Sequence, residues 1–148
     1  MNQLQHARSF GDLIVYQKTR GVAKRIFDIT KRFPREEMYS LTDQVRRSSR
    51  SVGAQIAEAW AKRRYEKHFI SKLTDADGEQ QETQHWIDTA SNCGYLTHEE
   101  VSSLNGELAE IGRMLNAMIE KAVSFCGPPP LVRRESTTDH VDDSPTDY

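Results

Sequence analysis

The sequence predicts an all-α protein, an antiparallel up-down-up-down four-helix bundle with a disordered C-terminal tail. Three observations carry that expectation. Apolar side chains recur at spacings of three and four in four successive segments. The segments are punctuated by stop signals such as Pro34 and Gly94, and the connectors are short enough to make successive helices antiparallel neighbours. The periodicity ceases at Gly127, where Pro128, Pro129 and Pro130 open a polar, acidic stretch. A chain of 148 residues, 36% hydrophobic, suits one core. The expected organisation is a flexible N-terminus over 1–9, the bundle over 10–126 and the acidic tail over 127–148.

The first helix is expected from about 12 to 33, with Tyr16, Thr19, Ala23, Ile26, Thr30 and Phe33 along one face. Lys18, Arg25 and Arg32 recur every seven residues, about 200° from Tyr16, Ala23 and Thr30, as an outward basic stripe. Pro34 stops this helix by disfavouring helical geometry in the residue before it. The second helix is expected to begin within 37–40 and to end near 62, with Leu41, Val45, Ser48, Val52, Ile56 and Ala59 inward. Ser49, Ser51, Gly53, Ala54 and Ala57 lack bulk, so a neighbour can approach closely. Gly53 costs about 1 kcal/mol in helix propensity and is a candidate bend.

After a polar connector over 62–66, Phe69, Leu73, Ala76, Gln80, Thr83, Ile87 and Ala90 trace a third helical face, which Gly94 is suited to cap. Thr97 and Glu100 form a capping box for the fourth helix, whose inner face is Val101, Leu104, Leu108, Ile111, Leu115, Met118 and Ala122. Cys93 and Cys126 then lie at opposite ends of that helix, about 40 Å apart and out of disulfide reach. Neither an apolar leader nor an apolar run of membrane-spanning length occurs, so a cytoplasmic location with free thiols is expected.

The net charge of −2 conceals a division along the chain. Residues 1–72 carry 16 basic and 7 acidic side chains, whereas 73–126 carry 2 and 10. Such separation attracts polyanions to one surface, or lets unlike faces of identical subunits meet. The candidate nucleic-acid-binding set is Lys18, Arg25 and Arg32 on the first helix, Arg46, Arg47 and Arg50 on the second, and Lys62, Arg63, Arg64 and Lys67 around the connector. Phosphate binding needs cations spread over a surface and no fixed motif. The plainer alternative is a solvated face, or one that pairs with the acidic third and fourth helices of a neighbouring subunit. Tyr65, inside the basic connector, is a candidate for stacking on a base.

Four stretches resemble a known family: Phe10-x-x-Leu13-x-Val15-Tyr16-Gln17; Phe33-Pro34-x-x-Glu37-x-Tyr39-x-Leu41-x-x-Gln44-x-Arg46-Arg47; Ile56-Ala57-Glu58; and Gly94-Tyr95-Leu96. They are similar to bacterial four-helix bundle proteins encoded in intervening sequences of large-subunit ribosomal RNA genes. The sequence departs from the usual pattern at Val52-Gly53, Gln55 and Ala59. Relatives of that family include the accessory variability determinant proteins of diversity-generating retroelements. The resemblance implies a homo-oligomer, a pentameric ring in those relatives, that binds RNA or DNA through basic surfaces and associates with a reverse transcriptase.

Other constellations favour bland readings. Glu82-x-x-His85 occurs once, whereas a di-iron bundle needs two such pairs, so no metal or cofactor is expected. Arg63-x4-His68 matches the loose spacing of HEPN ribonucleases, but with 13 arginines and 5 histidines chance accounts for it. Glu58 suits a structural ion pair, and Gln80 and Thr83 are polar at core positions, where they could line a lumen or a subunit interface. The expected function is non-enzymatic binding and scaffolding, with nucleic acid as the candidate ligand. A purely structural bundle and an HEPN-like ribonuclease are the alternatives.

Overall fold

The computed structural model describes residues 7–127; the expectations for 1–6 and for the tail over 128–148 lie outside the described residues. Four long helices account for the fold: α1 (Ile14–Thr30), α2 (Leu41–Ala61), α3 (Glu66–Asn92) and α4 (His98–Glu120), with a short α5 (Ala122–Phe125) turning back after α4. No strand occurs among the described residues.

Cross-helix contacts fix the arrangement. Thr30 of α1 meets Arg46 of α2, Ser48 of α2 meets Thr83 of α3, and Lys18 of α1 meets Glu110 of α4. The end of α1 meets the start of α2, the first half of α2 meets the second half of α3, and positions rising along α1 meet positions falling along α4. Neighbouring helices therefore run antiparallel, up, down, up and down, and α4 closes the ring against α1. The interior is filled as the spacing predicts on three helices. All six residues expected inward on α2, and all seven on α3, are buried. On α4, Leu104, Leu108, Ile111, Leu115 and Met118 are buried beneath the Thr97–Glu100 capping box, whose two bonds are both made.

On α1 the expectation holds at Thr19, Ile26 and Thr30 and fails at Tyr16 and Ala23. Val15, Thr19, Val22, Ile26 and Thr30 are buried, while Tyr16 and Ala23 sit at the edge. The reason lies on α2, which runs unbroken through Gly53: a Cβ there would stand 3.3 Å from Thr19 Oγ1 and 3.4 Å from the Tyr16 ring. The missing side chain lets α1 ride close on α2, with Tyr16 over the seam and Val15 and Val22 turned to the core. α1 also ends at Thr30, earlier than expected, and the chain crosses to α2 through a 3₁₀ turn at Arg35–Glu37.

The polar core residues of α3, Gln80 and Thr83, find partners within the chain. Thr83 Oγ1 lies 2.9 Å from Ser48 Oγ and donates to the Glu79 carbonyl at 2.8 Å. Gln80 donates to Asp77 and accepts from Gln84, and its amide occupies the space that a Cβ on Gly112 would take, 2.7 Å away. α3 ends as expected: Gly94 adopts φ 79°, and the amide of Tyr95 reaches back to the Ala90 carbonyl. No helix among the described residues is long and apolar enough to cross a membrane.

Candidate nucleic-acid interface

The ten candidate cations do not form one surface. The fold sorts them into three groups with different surroundings.

The α1 stripe lies along the seam with α4. Lys18 Nζ stands 3.2 Å from Glu110, Arg25 bonds Glu107 at 2.5 Å and Ser103 at 3.1 Å, and Arg32 pairs with Glu100. Each cation meets an acid of its own chain, across helices that sit side by side because the bundle closes. Glu100 carries a double load, since it also accepts from the Thr97 amide at 2.9 Å. Arg32 first, and then this backbone bond, hold its carboxyl below the usual value. The charges are half exposed, so the seam positions α4 on α1 and contributes only modestly to stability.

The second group surrounds Phe27 on the opposite flank of α1. The Arg46 guanidinium lies 4.7 Å from the ring centroid and that of Arg50 5.5 Å; Lys31 and Lys24 stand at 4.7 and 5.6 Å. Arg46 is also an anchor: its Nε donates to Thr30 Oγ1 at 2.8 Å and an Nη to the Phe27 carbonyl at 3.4 Å. Those groups belong to the last turn of α1, whose carbonyls lack helical partners, so a cation there satisfies both hydrogen bonding and the helix dipole. Arg47 holds Asp43 at 3.1 Å, one turn away. Asp28 lies between Lys24 and Lys31, and the Lys24 bond above all lowers its carboxyl. Arg50 has no carboxylate within ion-pair distance among the described residues. Arg20 of α1 joins Arg50 along the same groove. Six cations thus share this face with two acids. The sequence reasoning missed Phe27, Arg20, Lys24 and Lys31 as members; their signal was positive charge at i, i+4 and i+11 with the aromatic at i+7, legible only once α2 is known to lie alongside.

The third group sits at the end of the bundle, roughly 18 Å along α2 from Arg50 to Lys62. Arg63 is folded onto Trp60, 3.5 Å from the ring centroid, and its Nε donates to the Trp60 carbonyl. Lys62, Arg64 and Lys67 are exposed and make no ion pair among the described residues. Tyr65 is half exposed and packs against His68, with 5.4 Å between centroids. Arg63 and His68 therefore engage different partners and do not converge. Glu58 pairs with Lys72 of α3 at 3.2 Å, within the bundle. Among the described residues no cluster of three or more His, Cys, Asp or Glu could hold a metal ion. Both cysteines are free thiols, and burial, followed by Glu66, pushes the Cys126 thiol up.

Fold and surface together define a class: an antiparallel helical bundle whose distinctive chemistry is segregated surface charge. A model of the 23S rRNA-intervening sequence protein family matches residues 11–117, and the chain belongs to that family. Among solved structures, it is similar to a Bacteroides thetaiotaomicron VPI-5482 protein described as a protein with unknown function from the S23 ribosomal protein family. The two are 31% identical with a TM-score of 0.66, covering 72% of this chain and 96% of that one. No curated protein matches the chain.

Proposed function

We propose that this protein is a non-enzymatic binding module whose α1–α2 face takes up nucleic acid through its phosphates. The supporting observation is the contrast in pairing. The α1 stripe is matched acid for acid by α4, whereas the cations around Phe27 outnumber Asp28 and Asp43, and Arg50 has no counter-charge among the described residues. A surplus of fixed positive charge releases counterions from a polyanion and needs no sequence motif. Affinity for RNA or DNA should fall steeply with salt, and R47E/R50E should reduce both the affinity and the slope of log K against log salt, by about two units. Binding that ignores salt, or survives that double reversal, would reject the reading. Arg46 is left out of the variant because it anchors α1.

A second reading has its own support. On α3, burial and then the neighbouring charges of Glu82 and Asp75 hold the Glu79 carboxyl above its usual value, so that face carries crowded acid, with Lys72 at 4.0 Å from Asp75 as its cation. In a homo-oligomer, the pentamer that the resemblance implies, it complements the α2 cations of an adjoining subunit. Reversing Asp75, Glu79 and Glu82 to lysine would then yield smaller species by sedimentation, while unchanged assemblies would eliminate this pairing. Service to a reverse transcriptase is the finer role that the resemblance suggests, and co-purification with such an enzyme is its test.

A further inference from the structure

The α2 cations border a groove whose shape is informative beyond its charge. Tyr39, in the turn leading into α2, is 93% exposed, with Met38 beside it at 43%. A ring left in water keeps both faces open to a ligand. Tyr39 lines a groove of about 510 Å³ together with Arg46, Arg47 and Arg50, and Ser51 and Ala54 keep the α2 side of it low. A second depression of about 380 Å³, between α1 and α2, shares Arg50 and Ala54 with the first and continues past Gly53 and Ala57 towards Arg20. From Arg46 to Ala57 the path is roughly 16 Å long at 1.5 Å per residue. Ser40 makes no side-chain cap bond to α2, so the positive end of that helix lies at the Tyr39 end of the path.

We infer that this groove accepts single-stranded nucleic acid, with one base stacked on Tyr39 and the adjoining phosphates on Arg47 and Arg50. The inference rests on the polyanion reading above and narrows it. In a duplex the faces of the bases are covered by their neighbours, so a duplex can meet the arginines but offers Tyr39 nothing to stack on; an unpaired strand offers both. The first depression is lined by one acid, Asp43, whose carboxylate holds Arg47 at 3.1 Å and competes with a phosphate for it.

Fluorescence anisotropy of the full chain with labelled oligothymidylate, oligouridylate and a blunt DNA duplex tests this. Tyr39→Ala should weaken single-strand binding about tenfold, as loss of one stacked base does, and leave duplex binding unchanged. Tyr39→Phe should bind like the parent, and Asp43→Asn should bind single strands more tightly. With Tyr39 so exposed, these changes leave the core intact. If Tyr39→Ala binds single strands like the parent while R47E/R50E does not, the stacking inference fails and the polyanion reading stands. If no nucleic acid binds at all, both fail. If polyglutamate displaces oligothymidylate at matched charge and Tyr39→Ala treats the two alike, the face takes an acidic protein instead and the inference is overturned.

Discussion

Lys18, Arg25 and Arg32 stand opposite Glu110, Glu107 and Glu100, whereas Arg50 stands beside Phe27 and Arg47, in the same groove, has Asp43 as its local acid. The two rows are chemically similar, and each occupies one flank of a helix. What separates them is the neighbour: α4 closes the ring against α1 and brings a matching row of acids, while among the described residues no helix covers the outer flank of α2. A cation whose field is cancelled at short range holds helices together, and one whose field extends into solvent attracts ligands. The larger lesson is that the charge available for binding is set by the order of helices around the ring.

The contrast would break most visibly in binding. At moderate salt, R47E/R50E should lower nucleic-acid affinity on the order of 100-fold, whereas K18E/R25E should change it by less than about threefold, since the seam cations already have counter-charges. Anisotropy titrations of both variants under one buffer decide it, and equal losses would erase the distinction between the rows.

Arg46 belongs to neither row, and its variant sharpens the boundary. Removing it takes the donor from the Thr30 hydroxyl, leaves the Phe27 carbonyl with only the Thr30 hydroxyl at 3.0 Å, and uncovers one side of the Phe27 ring. Arg46→Ala should therefore cost about 1–2 kcal/mol in urea unfolding. A neutral result would show that water replaces it as a donor, and that Arg46 is as free as Arg50.

Much of this was legible in the sequence, for physical reasons that differ by element. α2, α3 and α4 bury one strict stripe each, and a period of 3.6 residues reports that directly. α1 could not be phased from its own residues because Val15, Tyr16, Val22 and Ala23 are all acceptable inward; Gly53, on another helix, decides among them. The basic character of Arg46, Arg47 and Arg50 was evident, but the anchoring of Arg46 depends on where α2 crosses the end of α1. The ladder was nearly visible: Arg25 and Arg32 are seven apart, as are Glu100 and Glu107, and antiparallel neighbours align such repeats. The sequence reasoning assigned that complementarity to neighbouring subunits, because spacing along one helix does not say which helix lies opposite. Gln80 and Thr83, read as possible lumen residues, find partners in Asp77, Gln84 and Ser48 inside the chain.

The seam itself can be tested by exchange. K18E/R25E should lower stability by about 1 kcal/mol through loss of two half-exposed pairs, and the added reversals E107K/E110K should restore it. The fourfold variant keeps the total charge and swaps the signs of two of the three pairs, so recovery requires those positions to face each other. Failure to recover would mean that these pairs are incidental to how α1 and α4 meet.

The smallest effect lies in acid titration, at the one seam carboxylate that also caps a helix. Glu100 is held below its ordinary value of 4.5 by Arg32 and then by the Thr97 amide, so the folded state binds its proton less readily than the unfolded chain does. Its contribution is complete above the unfolded value and is lost as the pH falls through the lower folded one. Glu79 works in the opposite sense: burial, then Glu82 and Asp75, raise its value, so protonation on the way down favours the fold. Acidification from neutrality should therefore first relieve α3 and only later release the Arg32 end of the α1–α4 seam. Melting temperatures of the parent minus those of Glu100→Gln, taken across the acid range, isolate the second step. The difference should be steady above the ordinary carboxylate value and shrink below it, because a neutral amide at position 100 has no charge left to lose. A difference that stays constant to the acid limit would show that Arg32 and Glu100 gain nothing from facing each other, and the seam would then rest on Lys18 and Arg25 alone.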